Sequence, residues 1–257
     1  MSAKTPDDIR TLAYVLRRTN YGEADRILNL LTPTGQYSAI ARGVRKEKSR
    51  LKSSIEMFSL IDINLHVGKG ELYTVTSAKM LDFYSNLLTD LSRLELASLI
   101  LKKVNSVSGD ANSEELFNIV DQSLKALNAG ENPELIEAWF WLNFAKAKGE
   151  EINLYRDTSG EKLVEDGIYI WNTAESALEV YPGGNIGASE IKLMRLMLTS
   201  RLNLVLKVRN APPLEAISYI AKAINKLWYN TFIKGVRKCL ITVKKVKNQS
   251  SFQLLLY

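Results

Sequence analysis

The stretch Ile61-Asp62-Ile63-Asn64-Leu65-His66-Val67 decides the fold class. Ile61, Ile63, Leu65 and Val67 fall on one side of an extended chain, and Asp62, Asn64 and His66 fall on the other. That is the period of two of a half-buried strand. Gly68-Lys69-Gly70 follows with hairpin-turn chemistry, and Leu72, Thr74 and Thr76 carry the alternation into a further strand. Upstream, Thr11–Arg18 alternates as well. Leu12, Tyr14 and Leu16 point to one face, and Ala13, Val15 and Arg17 to the other. Asn20-Tyr21-Gly22 reads as a turn and Arg26–Leu31 as a short apolar strand. Thr32-Pro33-Thr34-Gly35 turns the chain, because proline fixes φ and glycine tolerates positive φ. Gln36–Val44 is a third strand. Five short strands in about 75 residues predict a small closed barrel. An SH3-like barrel competes, but the five-stranded oligonucleotide-binding (OB) barrel fits the length better.

The third strand leads into Ala41-Arg42-Gly43-Val44-Arg45-Lys46-Glu47-Lys48-Ser49-Arg50-Leu51-Lys52. Residues 42–52 carry six Lys/Arg and one Glu, a net of +5 in eleven residues. An ordinary solvated loop needs some charge, but less than this. Such a block is the usual electrostatic footprint of a phosphate-binding surface, with an ordinary solvated loop as the alternative.

Bulk composition bounds the rest. An apolar fraction of 46% over 257 residues supports a real core. One cysteine, Cys239, excludes an internal disulfide framework and fits a reducing compartment. Met1–Asp8 has no secretory pattern, and no run of about 18 apolar residues is present, so a cytoplasmic protein without a membrane partner is expected. The net charge of +6 is unevenly spread. Residues 110–180 hold fifteen Asp/Glu against five Lys/Arg, whereas residues 216–257 hold eight Lys/Arg and no acid. Basic ends around an acidic middle suit a protein that holds a polyanion on one surface only.

After Lys79 the period changes from two to 3.6. Leu87, Leu88, Leu91, Leu94, Leu101 and Val104 form a stripe, which predicts a helix over 86–106. Ser113 is the expected N-cap of a second helix lined by Leu116, Val120, Leu124 and Leu127 and stopped at Gly130. Asn132-Pro133 opens a third by the cap-then-proline rule, with Ile136, Trp139, Phe140 and Phe144 read as core packing. Helical periodicity lapses over 150–187, where glycines punctuate short extended pieces such as Gly167–Trp171. It returns at Ser189, an expected N-cap, and runs through Ile191, Met194, Leu198 and Leu202. A last helix begins at Pro212-Pro213-Leu214 and turns Ile217, Ile220, Ile224, Leu227 and Trp228 inward, with Lys222 and Lys226 on its other face. The fold class is therefore α+β and multi-domain. Residues 1–80 form the barrel and 81–257 a helical domain, with 150–187 an inserted turn-and-hairpin module and 234–257 a basic C-terminal segment.

Catalytic signatures are missing. His66 is the only histidine and has no cysteine nearby, so it is no metal-site signal. A dyad of Cys239 with His66 would span most of the chain. Gly183-Gly184-Asn185-Ile186-Gly187 lacks the Lys-Ser/Thr of a phosphate loop. The expectation is a protein that is not an enzyme.

Two motifs taken together carry a family likeness. Arg18-Thr19-Asn20-Tyr21-Gly22-Glu23-Ala24-Asp25-Arg26 and Ala41-Arg42-Gly43-Val44-Arg45-Lys46-Glu47-Lys48-Ser49-Arg50-Leu51, in this order and separation, resemble the N-terminal barrel of the RecO family of DNA recombination and repair proteins. The Phe58-Ser59-Leu60 strand and the Leu87–Val104 helix also fall where that family places them. The resemblance covers about residues 1–105 well, and Ile186-Gly187-Ala188-Ser189-Glu190 more loosely. It implies an OB barrel, a helical domain and a small zinc-binding module. It also implies binding of single- and double-stranded DNA, annealing of complementary strands, and help for RecA in replacing the single-strand-binding protein, in concert with RecR. The module holds four cysteines in many members, whereas residues 153–187 here hold none. No metal and no cofactor are therefore expected, and Leu163, Ile168, Tyr169, Ile170 and Trp171 are expected to hold the module by packing.

On this reading Arg42, Arg45, Lys46, Lys48, Arg50 and Lys52 are the leading phosphate contacts. Arg17, Arg18 and Arg26 extend the track, Arg17 and Arg18 facing opposite sides if the strand is regular. Tyr21 and Tyr37 either stack on bases or pack against the barrel. The basic C-terminal segment is a second DNA surface or a receptor for the acidic tail of the single-strand-binding protein. An RNA-binding translation or ribosome-assembly factor would use the same barrel and charge, and a metal-dependent nuclease is a more distant rival.

Overall fold

A computed structural model describes residues 8–49, 51–67, 72–107, 112–150, 152–220 and 222–223. Five strands come first: β1 (Asp8–Tyr21), β2 (Asp25–Thr32), β3 (Gly35–Ala41), β4 (Ser59–His66) and β5 (Tyr73–Phe83). They close into a barrel in the order β1-β2-β3-β5-β4. All neighbours are antiparallel except β3 and β5, which meet in parallel at Ala39↔Tyr73 and Ile40↔Thr74. This is the OB-type barrel expected from the sequence. Closure leaves no free sheet edge, which a small barrel needs in order to avoid edge-to-edge pairing. Ala13, Val15, Leu28, Leu30, Ala39, Ala41, Ile61, Ile63, Leu65 and Val75 fill its interior. Each fully buried Leu or Ile there contributes roughly 1.5–3 kcal/mol. Val67, expected inward with Ile61 and Ile63, is exposed instead because β4 ends at His66. The Gly68-Lys69-Gly70 turn lies outside the described residues.

β1 departs from simple alternation. Ala13, Tyr14, Val15 and Leu16 are all buried. Ala13 and Val15 line the barrel, while Tyr14 and Leu16 pack outward into the helical core with Leu31 and Tyr84. Leu12, expected beside them, lies beyond that cover and is exposed. The ladder to β2 also slips between Val15 and Arg17, so Leu16 is an extra residue. A bulge of this kind reverses the facing of every later residue relative to an unbroken strand.

β5 runs to Phe83, past the expected change of period at Lys79. The single helix predicted over 86–106 is two pieces, a 3-10 turn at Ser85–Thr89 and α1 at Leu91–Asn105. Asp90 divides them. It is extended, and its carboxylate accepts from the Arg93 N–H as an N-cap. The register of the stripe is lost at the break, so Leu88 and Leu91 are exposed while Leu87, Leu101 and Val104 stay buried. α2 (Ser113–Ala129) is capped by Asn112, not Ser113, and ends at Gly130 with φ of 90°. α3 (Pro133–Ala147) starts as expected, with the Asn132 side chain accepting from Glu134 and Leu135 N–H. Trp139, Phe140 and Phe144 are buried in the common core.

Over 152–187 the chain forms turns and the hairpin β6 (Tyr169–Asn172) and β7 (Ala177–Val180). Tyr169, Trp171, Leu178 and Ile186 join the helical core, whereas Ile168, expected inward, is exposed. Asparagine and aspartate fix the turns. Asn153 accepts from Tyr155 and Arg156 N–H, and Asp157 from Ser159 and Glu161 N–H. These bonds occupy the side chains of Asn153 and Asp157, and without cysteines the module's donor set does not fit a zinc ion. Among the described residues no cluster of His, Cys, Asp or Glu is arranged to hold a metal.

α4 (Ala188–Thr199) is preceded by Gly187, whose N–H donates to Glu190 at 2.9 Å, so the N-cap is Gly187 and not Ser189. α4 stops at Ser200, and Leu202 begins the separate turn α5 (Leu202–Val205). Residues 215–220 are helical, with Ile217 and Ile220 buried as expected. Ile224, Lys226, Leu227, Trp228, Cys239 and the 234–257 segment lie outside the described residues. No helix among the described residues is long and apolar enough to cross a membrane.

Candidate nucleic-acid interface

β3 does not continue to Val44 as the alternation suggests. It ends at Ala41, and the described residues 42–49 and 51–58 cross one end of the barrel in a succession of turns. The sequence pattern shows why. Val44 and Ile55 are fully buried and Leu51 is partly buried against the barrel core, so this connection plugs the open end with apolar side chains. The residues between them must then face water, and Arg42, Arg45, Lys46, Lys48 and Lys52 are all exposed. Arg50 lies outside the described residues. Backbone bonds from Lys46 to Gly43, from Ser49 to Lys46 and from Lys52 to Ser49 set the spacing of the turns.

The two sequence motifs meet here. The Gly43 N–H donates to the Asp25 carboxylate at 2.7 Å, the Arg45 N–H to the Ala24 carbonyl at 2.8 Å, and the Arg45 guanidinium to the Gly22 carbonyl at 3.2 Å. Gly43 has φ of 63°, a conformation that any side chain bearing a Cβ resists. The β1–β2 hairpin tip thus serves as the anchor onto which the basic connection is tied. Asp25 sits in the first motif with no role legible from the sequence. Its signal is a carboxylate beside a positive-φ glycine motif, which becomes meaningful only when the two are adjacent.

The remaining predicted residues divide. Arg26 pairs with Ala41 in the ladder, and its guanidinium donates to the Asn20 side chain at 3.2 Å, so it belongs to the tip. Tyr21 is 55% exposed at the tip. Arg18 stands opposite Leu28, on the inward face at the barrel mouth, and is ion-paired with Glu56 at 2.5 Å. Part of its charge is therefore spent within the fold. Arg17 stands opposite Asn29 on the outward face and is exposed. The strand is not regular, yet the two arginines do face opposite sides, because the bulge precedes both.

Tyr37 is not with the cluster. It sits toward the other end of β3, packed on the barrel core and edge-on to Tyr73 with ring centroids 5.0 Å apart. Its hydroxyl lies 3.2 Å from that of Thr34. His66 is exposed, with Nδ1 2.8 Å from the Asp8 carboxylate, and Arg10 pairs with Asp62 nearby. The arrangement at the tip is a rim of exposed cations with an exposed tyrosine over an apolar plug. It can neutralise phosphates and offer one ring face.

Residues 7–84 match the family described as Recombination protein O N terminal. The chain is similar to proteins named DNA repair protein RecO. It is 37% identical to that of Roseiflexus sp. (strain RS-1) over 147 residues, which are 57% of this chain and 52% of the relative. It is 36% identical to that of Rubrobacter xylanophilus over 142 residues, 54% and 57% of the two chains. It is 32% identical to that of Dehalococcoides mccartyi (strain CBDB1) over 146 residues, 56% and 57%. The matched part thus spans about half the length of these curated relatives.

Proposed function

We propose, from the match of residues 7–84 to the RecO N-terminal family and from the similarity to proteins named DNA repair protein RecO, that the chain is a RecO-type protein that binds single-stranded DNA at the hairpin tip and anneals complementary strands in DNA repair. The observation that supports this most directly is the tie between the two motifs. Asp25, Ala24 and Gly22 hold the connection after β3, on which Arg42, Arg45, Lys46, Lys48 and Lys52 are exposed. Annealing needs no bond cleavage. It needs two polyanions brought together with their charge screened and their bases free to search. Backbone neutralisation by Arg42, Arg45, Lys46, Lys48 and Lys52 supplies the screening without reading sequence. Helping RecA onto strands coated by single-strand-binding protein, with RecR, is the cellular role proposed for this activity.

The test replaces Arg42, Lys46 and Lys48 by glutamate and leaves Arg45, which also holds the connection to the hairpin. Annealing of complementary oligonucleotides falls at least tenfold, because six units of charge change at the rim. Undiminished annealing would remove the rim from the function. Stronger binding of RNA than of DNA of the same sequence would favour the translation-factor reading.

A further inference from the structure

The outward row of β1 leads away from the tip. Tyr21, Thr19 and Arg17 are all exposed and share the outer face, opposite Asp25, Ile27 and Asn29 of β2. At about 3.3 Å per residue the row covers roughly 13 Å. It runs to the point where the barrel meets α1. There the Asn29 side chain donates to the side chain of Asn105 at 2.9 Å, and the Gln36 side chain donates to the Val104 carbonyl at 3.0 Å. Asn105 is the last residue of α1, and Lys102 and Lys103 occupy the same final turn. Lys102 is exposed and stands three residues before Asn105, hence beside it on the helix surface. The Lys103 ammonium lies over the Trp141 ring, 5.7 Å from its centroid. Opposite Tyr21 in this row stands Asp25, whose carboxylate accepts from the Gly43 N–H.

We propose that the last turn of α1 is a second phosphate contact, in which Lys102, with Lys103 behind it, takes the backbone of a single strand leaving the tip along Tyr21, Thr19 and Arg17. This rests on the single-strand reading above and adds that the helical part shares the binding. The bound strand spans the junction of barrel and helices, so that part of the affinity depends on both. Lysines at a helix C-terminus also interact with the helix dipole, a stabilising role that needs no ligand. The two roles differ in readout. A dipole role shows in the melting temperature, and a phosphate role shows in affinity and in its dependence on salt.

The experiment measures binding of the full chain to fluorescent oligothymidylates of about six and about twenty nucleotides, sizes within and beyond the reach of a single barrel. Salt is varied from about 50 to 200 mM. The variants are Lys102→Glu, Lys102→Gln, Arg17→Glu and the Arg42/Lys46/Lys48 triple glutamate. For Lys102→Gln the slope of log affinity against log salt on the long oligomer is expected to shrink by about 0.7, the value of one phosphate contact on a single strand. Lys102→Glu weakens the long oligomer about fivefold or more, and the short oligomer, held at the tip, is unchanged. Arg17→Glu falls between. An unchanged slope and affinity for both Lys102 variants, with the triple variant still impaired, overturns the inference and leaves the tip intact. A triple variant that binds as well as the parent instead overturns the reading on which the inference rests.

Discussion

The hydroxyl of Tyr14, on the outer face of β1, donates to the carboxylate of Asp121 on α2 at 2.7 Å across 107 residues of chain. Tyr84 completes the relay, its hydroxyl 3.0 Å from that of Tyr14. Since Tyr14 spends its one proton on Asp121, Tyr84 is the donor to Tyr14. Asp121 is also ion-paired with Lys125 one turn on. This relay, with Leu16 and Leu31, locks the barrel to the helices.

That lock has a pH signature. Burial, then the neighbouring Tyr84 and Asp121, pushes the Tyr14 hydroxyl far above its usual range, and burial raises Tyr84 to about 12. A raised tyrosine stays protonated in the folded chain while the unfolded one ionises near its ordinary value of about 10. The stabilisation is therefore complete below about 10 and is lost as pH rises from there through the folded values. Urea midpoints taken from pH 8 to 11 should fall steeply at the alkaline end. Tyr14→Phe should cost roughly 1–3 kcal/mol at neutral pH and flatten that alkaline fall. A parallel fall in both chains would assign the effect to other groups.

Asp25 offers a test in which two effects have opposite signs. Removing a carboxylate from a cationic rim ought, on charge alone, to tighten DNA binding. Asp25→Ala also frees the Gly43 N–H and loosens the tie that positions the rim. The expected result is weaker binding of single-stranded DNA, by several-fold, with roughly 1–3 kcal/mol lost in stability. Tighter binding, measured by anisotropy, would show that the rim needs no anchor.

The two tyrosines singled out from sequence should separate. Tyr21→Ala, at the exposed tip, should leave the melting temperature almost unchanged and cost about 1–3 kcal/mol in single-strand affinity if the ring stacks on a base. Tyr37→Ala removes a ring packed on the barrel core and on Tyr73, so it should destabilise by roughly 3 kcal/mol. Its effect on DNA binding should vanish once the folded fraction is accounted for. Equal effects on affinity per folded molecule would move Tyr37 into the interface.

Prolonged dialysis against a strong chelator should not shift the melting temperature. The turns of the 152–187 module are tied by Asn153, Asp157 and Asn172, and its buried residues join the main core. A drop of several degrees after chelation, reversed by zinc, would reveal a ligand set outside these residues.

The five strands, the turn at Thr32-Pro33-Thr34-Gly35, the Asn132-Pro133 start of α3 and the two motifs were legible in the sequence. These follow from local chemistry: alternation, the fixed φ of proline, and side chains that cap the nearest N–H. Sequence could not place the bulge at Leu16, the break at Asp90, or the choice of Asn112 and Gly187 as caps over Ser113 and Ser189. Each is settled by contacts that local preference does not contain: Leu16 packs outward into the helical core, Asp90 and Asn112 accept from Arg93 and Glu115 N–H, and Glu190 reaches back to the Gly187 N–H. The same holds at the site. The charge of residues 42–52 was legible, but its meaning came from the approach of Asp25 to Gly43, and Tyr21 and Tyr37 were indistinguishable until barrel closure sent one to the tip and the other to the core. Local free energies of this size are comparable along much of the chain, whereas closing a barrel and burying Tyr14 against Asp121 are decided by residues far apart in sequence and adjacent only in the folded molecule.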